Sequence, residues 1–158
     1  MISFNELKDA CFALNKYDKS VFNRGTGIDL IEKWEKDNRT MIPEELKNLL
    51  IQSDGFQILG RTAKVYSLSE IGYSCSGVPD KYVVFGELVG DGEKLCFHES
   101  TGEIVSVYNG DIKSYSIIAF FEYCLDQCLD GLFMSDADYS GLNDYIKNVM
   151  SNYKSERL

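Results

Sequence analysis

The chain has 158 residues, of which 44% are hydrophobic and 13% aromatic; this suits one globular domain with a sizeable core and excludes a disordered chain. Its 25 acids against 16 bases give a net charge of −9, which disfavours nucleic acid and anionic membrane as partners and suits a cationic protein. Five cysteines, an odd number at irregular spacing, argue against a disulfide framework and place the chain in a reducing cytoplasm.

Met1 to Glu6 carries neither the basic nor the apolar stretch of a signal peptide, and no later run approaches the roughly 18 apolar residues that span a bilayer. Ser3 and Glu6 have the spacing of a capping box, and Ile2 and Leu7 are placed as a hydrophobic staple. The helix they open carries Phe4, Leu7, Cys11 and Leu14 on one face and should end near Tyr17. Residues 18–27 are polar, contain Gly25 and Gly27, and read as a loop. A short helix from Asp29 to Asp37 buries Ile31 and Trp34 and turns Glu32, Lys33, Glu35 and Lys36 outward. The third helix has Pro43 at its first helical position, Glu44 and Glu45 in its first turn and Gly55 past its end; Leu46, Leu49 and Leu50 face inward.

After Gly55 the hydrophobic period changes. Phe56 to Leu59 and Ala63 to Tyr66 are short apolar runs, and Lys81 to Val89 is rich in β-formers. Lys94 to His98 and Ile104 to Tyr108 flank the turn Glu99 to Gly102 as an antiparallel hairpin, and Val89 to Glu93 is a second hairpin turn. A meander of four or five strands is predicted. Helix resumes from Ser116 to Leu129, with Ile117, Phe121, Cys124, Leu125 and Cys128 inward and Gly131 closing it. A last helix runs from Ser140 to Tyr153 with Leu142, Tyr145, Ile146, Val149 and Tyr153 inward. The order predicts a single α+β domain over residues 1–158: one twisted, mainly antiparallel sheet with helices packed around it.

Catalysis leaves clusters of nucleophile, base and polariser, and the sequence offers none. The lone histidine, His98, ends a strand and reads as a surface or packing residue. Cys124 and Cys128 lie one helical turn apart on the apolar stripe and read as buried thiols; zinc would need two more ligands, for which Cys96 and His98 are the candidates. Asp136 to Gly141 matches the opening of a calcium loop, but Lys147 stands where the closing Glu belongs and Asn143 where an apolar residue belongs; a helix N-cap cluster is the preferred reading. Gly86, Gly90 and Gly92 lack the Gly-Lys-Ser/Thr that cradles phosphate. No catalytic residue, metal or other cofactor is expected.

The most informative stretch is Ser114 to Ile146, which holds six acids and no Lys or Arg: Glu122, Asp126, Asp130, Asp136, Asp138 and Asp144. The first three fall at i, i+4 and i+8, one stripe of a helix, where like charges repel. A basic partner would remove that cost; a solvated face is the alternative.

Ile28 to Leu59 is distinctive as a unit: a short helix with Ile31 and Trp34, then Ile42-Pro43-Glu44-Glu45-Leu46-Lys47-Asn48-Leu49-Leu50, then Ser53-Asp54-Gly55. It resembles the opening of the SUKH superfamily domain, which has a Leu-Pro pair, a helix with Leu-Leu and an Asn-Gly ending. This chain departs at Ile42 for Leu and Asp54 for Asn, changes that keep the apolar residue before Pro43 and the short polar residue before Gly55. Val65 to Ile71 resembles the strand leading to the family's variable loop, and Phe85-Gly86 through Cys96-Phe97-His98 is similar to its central strands. Thr101 to Val105 resembles its Gly-containing hairpin, and Phe120 to Leu125 its closing helix. The likeness spans about residues 28–130, with residues 1–20 and 135–158 as helical flanks outside it.

The resemblance implies an α+β fold and binding rather than catalysis. Many bacterial members are immunity proteins that bind and block a toxin, often a nuclease, encoded by a neighbouring gene; a fungal branch comprises cell-wall synthesis regulators. The leading expectation is therefore a cytoplasmic immunity protein that occludes a basic cognate toxin stoichiometrically. The alternative is a regulatory or scaffold module with no toxin partner. Glu122, Asp126, Asp130, Asp136 and Asp138 are the expected electrostatic contact, with Tyr115, Tyr123 or Tyr139 as anchors. The variable loop, Gly72 to Asp80, is the other place for the interface. Residues 135–158 read either as an extra packing helix or as a dimer contact.

Overall fold

Four helices and seven strands follow in the order α1 (Phe4–Ala13), β1 (Val21–Phe22), α2 (Ile28–Asn38), α3 (Glu44–Gln52), β2 (Phe56–Ile58), β3 (Ala63–Val65), β4 (Tyr82–Leu88), β5 (Glu93–His98), β6 (Ile104–Tyr108), β7 (Asp111–Ser114) and α4 (Ile117–Phe133). They are taken from a computed structural model, which describes residues 3–13, 20–58, 63–73, 77–88 and 92–133. The strands form one open sheet in chain order, β1 to β7, every pair antiparallel. This is the predicted α+β arrangement, with seven strands rather than four or five.

Ser3 opens α1: its Oγ accepts from the Glu6 N–H at 3.2 Å, half of the expected capping box. Phe4, Leu7 and Cys11 are buried as expected. Ile2 and Leu14 to Tyr17, the expected staple and helix end, lie outside the described residues.

On α2 the expected outward face is corrected at one position. Glu35 is buried, and its Oε2 accepts from the Ile42 N–H at 2.8 Å and meets Lys47 Nζ at 3.1 Å. The α2–α3 connection folds back against the helix, and its buried amide needs an acceptor that helical periodicity cannot anticipate. Pro43 is also corrected, from first helical residue to N-cap: its ψ of 143° is extended, and α3 begins at Glu44. Leu46, Leu49 and Leu50 are buried. Gly55 has φ +88°, and a Cβ there would lie 2.6 Å from the Ser67 nitrogen, so both backbone and space require glycine.

The expected loop at residues 18–27 contains β1. Val21 and Phe22 pair with Gln57 and Phe56, and Phe22 stacks on Phe56 with ring centroids 5.2 Å apart. Two residues make no periodic pattern, so the strand exists because of its tertiary partner. The rest of this segment lies against the end of α3: the Thr26 N–H donates to the Leu50 carbonyl at 2.9 Å. A Cβ on Gly25 would stand 1.8 Å from the Ile51 carbonyl oxygen, which explains that glycine.

The ladder between β4 and β5 shifts register between Val84 and Gly86. A Cβ on Gly86 would lie 2.5 Å from the Lys64 carbonyl oxygen, so this glycine permits close strand approach. The sheet has two unlike faces. One meets side chains from all four helices in the main core, where Leu7, Ile31, Leu46, Phe56, Phe85, Phe97 and Phe120 are fully buried. The other carries Val84, Cys96, Val105 and Val107, covered by the half-buried Tyr66, Val78 and Tyr82.

α4 runs through Gly131 to Phe133, so that glycine does not close the helix as expected. An interior glycine costs about 1 kcal/mol relative to Ala, which a helix packed on α1 tolerates. The expected last helix, Ser140 to Tyr153, lies outside the described residues, as does Asp136 to Gly141. Among the described residues, no helix is long and apolar enough to cross a membrane.

Candidate protein-binding surfaces

Ser116 starts α4 by accepting, through Oγ, a hydrogen bond from the Ala119 N–H at 3.0 Å. Ile117, Phe120, Phe121, Cys124 and Leu125 then face the core, Phe120 being an addition to the sequence reading. This inward face leaves Ile118, 40% exposed, and Glu122 one turn later on the outside. Asp126 and Asp130 occupy the next two turns of the same helix. Three of the five predicted contact residues thus share one element, while Asp136, Asp138 and the candidate anchor Tyr139 lie outside the described residues. The other two anchors, Tyr115 and Tyr123, are half-buried against the main core.

Burial pushes the Tyr115 hydroxyl up to about 12, and the nearby Cys124, Glu93, Tyr123 and Glu122 add to the shift. Tyr115 is therefore a neutral hydroxyl at physiological pH, within the field of carboxylates from both β5 and α4. Complete burial also pushes the Cys124 thiol well up. It stays protonated and inert, in keeping with its reading as a packing residue.

A second surface is a groove of about 380 Å³ beside α2, lined by Thr26, Leu30, Lys33, Trp34, Asp54 and Leu68 among others. Ile28 and Leu30 are each 52% exposed at its side. Lys33 Nζ reaches Asp37 Oδ2 at 2.7 Å on the rim, and Asp54 Oδ1 accepts from the Leu68 N–H at 2.7 Å. The sequence reading missed this groove. Its signal was two apolar residues, Ile28 and Leu30, off the inward stripe of a short helix.

The predicted variable loop is held at both ends. Gly72 bridges to Val84, and the Tyr73 hydroxyl lies 2.8 Å from Thr40 Oγ1 and donates to Glu99 Oε2 at 3.0 Å. On the outer sheet face, Glu87 Oε2 accepts from Lys94 Nζ at 2.8 Å and from the Tyr66 hydroxyl at 2.9 Å. The hydrogen bond from Lys94, opposed by partial burial, holds the Glu87 carboxyl below its usual 4.5. His98 is committed to its turn: Nδ1 accepts from the Ser100 and Thr101 amides at 3.1 and 3.3 Å. Cys96 and His98 lie two residues apart on β5, and among the described residues no three His, Cys, Asp or Glu side chains gather as metal ligands. No protein-family model matches the chain, and no curated protein matches it at a significant level.

Proposed function

We propose that this protein is a SUKH-like cytoplasmic immunity protein that binds a basic cognate toxin, a nuclease being the best fit, and neutralises it by stoichiometric occlusion. The observation that carries the reading is the outer side of α4, where an exposed apolar residue, Ile118, and an exposed acid, Glu122, begin a stripe that continues through Asp126 and Asp130. An apolar contact with an acidic surround suits a partner whose own surface evolved to meet a polyanion. The open antiparallel sheet with helices on one face is the kind of fold that the family resemblance implies.

The test is co-expression. The C-terminal region of the neighbouring upstream gene product is produced in a bacterial host with and without this protein, and survivors are counted. Rescue together with co-purification of a complex is the expected result; toxicity without rescue removes that toxin as the partner. A harmless neighbour would favour the second reading, a regulatory module for a cellular protein. The apolar groove beside Trp34 supports that reading.

A further inference from the structure

We propose that a cleft across β5, β6 and β7 is the receptor for one arginine side chain of the protein partner. Strand registers set its geometry. Tyr108 stands opposite Asp111 on the β6–β7 ladder, and Ser106 stands opposite Lys113 there and opposite Leu95 on β5. Glu93 precedes Leu95 by two residues, so it shares this face and lies beside Tyr108. The ring of Tyr108, 45% exposed, is thus flanked by two carboxylates, one on each neighbouring strand. Glu93, Ser106, Tyr108, Asp111 and Lys113 together line a cleft of about 140 Å³.

Ser106 points independently to a ligand. It is only 3% exposed and lines the cleft, yet its hydroxyl makes no hydrogen bond among the described residues. A buried hydroxyl without a partner is unfavourable, and a donor entering the cleft would relieve it. The remaining groups select the donor's chemistry. A guanidinium is planar and carries five N–H donors, so its face covers an aromatic ring while its edges reach acceptors on both sides. Here the ring is Tyr108, and the acceptors are Glu93, Asp111 and the Ser106 hydroxyl. Two acids against the one base, Lys113, leave a single negative charge, which one cation neutralises.

The cleft adjoins the α4 surface electrostatically, since Glu93 and Glu122 both act on Tyr115. The inference rests on the toxin-binding reading for the partner's identity, but its test does not. The isotope-labelled full chain is titrated with Nα-acetyl-arginine amide and followed by amide chemical shifts. Nα-acetyl-citrulline amide serves as the neutral isostere and Nα-acetyl-lysine amide as the compact cation. Saturable shifts at residues 93, 106, 108 and 111–113 are expected with the arginine probe, weaker ones with lysine and none with citrulline. The Glu93→Gln/Asp111→Asn double variant, whose own spectrum reports its fold, should bind arginine at least about tenfold more weakly. Equal shifts with citrulline, equal affinity for lysine, shifts spread over α4, or unchanged affinity in the double variant would each overturn the assignment. A failed rescue assay with a localised arginine response would remove the toxin and leave the site standing; the reverse pattern would remove the site and leave the toxin.

Discussion

Glu35 shows how a single residue can depart from its local pattern. Its carboxylate joins the Ile42 amide and Lys47 inside the α2–α3 junction. For Lys47, burial works against the charge, but the hydrogen bond and the charge of Glu35 outweigh it and raise the pKa. Replacing Glu35 with Ala leaves both a buried amide and an ammonium without their acceptor. The expected loss is about 3 kcal/mol, read as a lower urea midpoint with an unchanged m value. Glu87 gives a pH signature of the opposite kind. Its folded pKa lies below the ordinary 4.5, so its contribution is present above that value and fades as pH falls through the folded one. Glu87→Gln should therefore be less stable than wild type near neutral pH, with the gap closing at about pH 3, as urea midpoints at the two pH values would show. Neither role was legible in the sequence, because each depends on a partner far along the chain.

Among the elements, α4 carries the functional argument. Its acids at i, i+4 and i+8 were visible in the sequence, as was the inward face that turns Glu122 outward. Converting Asp126 and Asp130 to Lys should slow association with a basic toxin by about tenfold at low salt, with a smaller effect at high salt, measurable by stopped-flow mixing. Unchanged rates would move the interface to the loop of residues 72–80 or to the groove beside Trp34. The strands were legible unevenly. β4, β5 and β6 announced themselves by composition and turn signals, whereas β7 is exposed along its whole length and has no apolar face. Its signal was the turn before it: Asn109 and Gly110, with φ of 49° and 82°, form the tight two-residue connection that this pair favours. β1, two residues long, left no local signal at all.

At the level of the whole molecule, the α+β class was legible because helical and strand periods occupy separate stretches of the chain. The two-sided character of the sheet was less so. Val84, Cys96, Val105 and Val107 are buried on the face away from the helices, beneath Tyr66, Val78 and Tyr82. A sheet with one wet face would alternate cleanly, and the burial of both faces along β4 and β6 blurs that period. The arginine cleft lay beyond the sequence for a related reason: it gathers side chains from three strands, and only the registers bring Glu93, Tyr108 and Asp111 together.

The chain-order sheet also bears on synthesis. From β2 onward each strand pairs with the one just made, so the sheet can grow as the chain leaves the ribosome, with no strand waiting for a distant partner. The exception is the packing of α1 on α4, which joins the first described element to the last. Until α4 emerges, Phe4 lacks Phe121, whose ring centre ends 6.2 Å away, and part of the core stays open. The helix proposed to meet the partner is thus also the one that shuts the fold, so a nascent chain cannot display that surface before its core is closed.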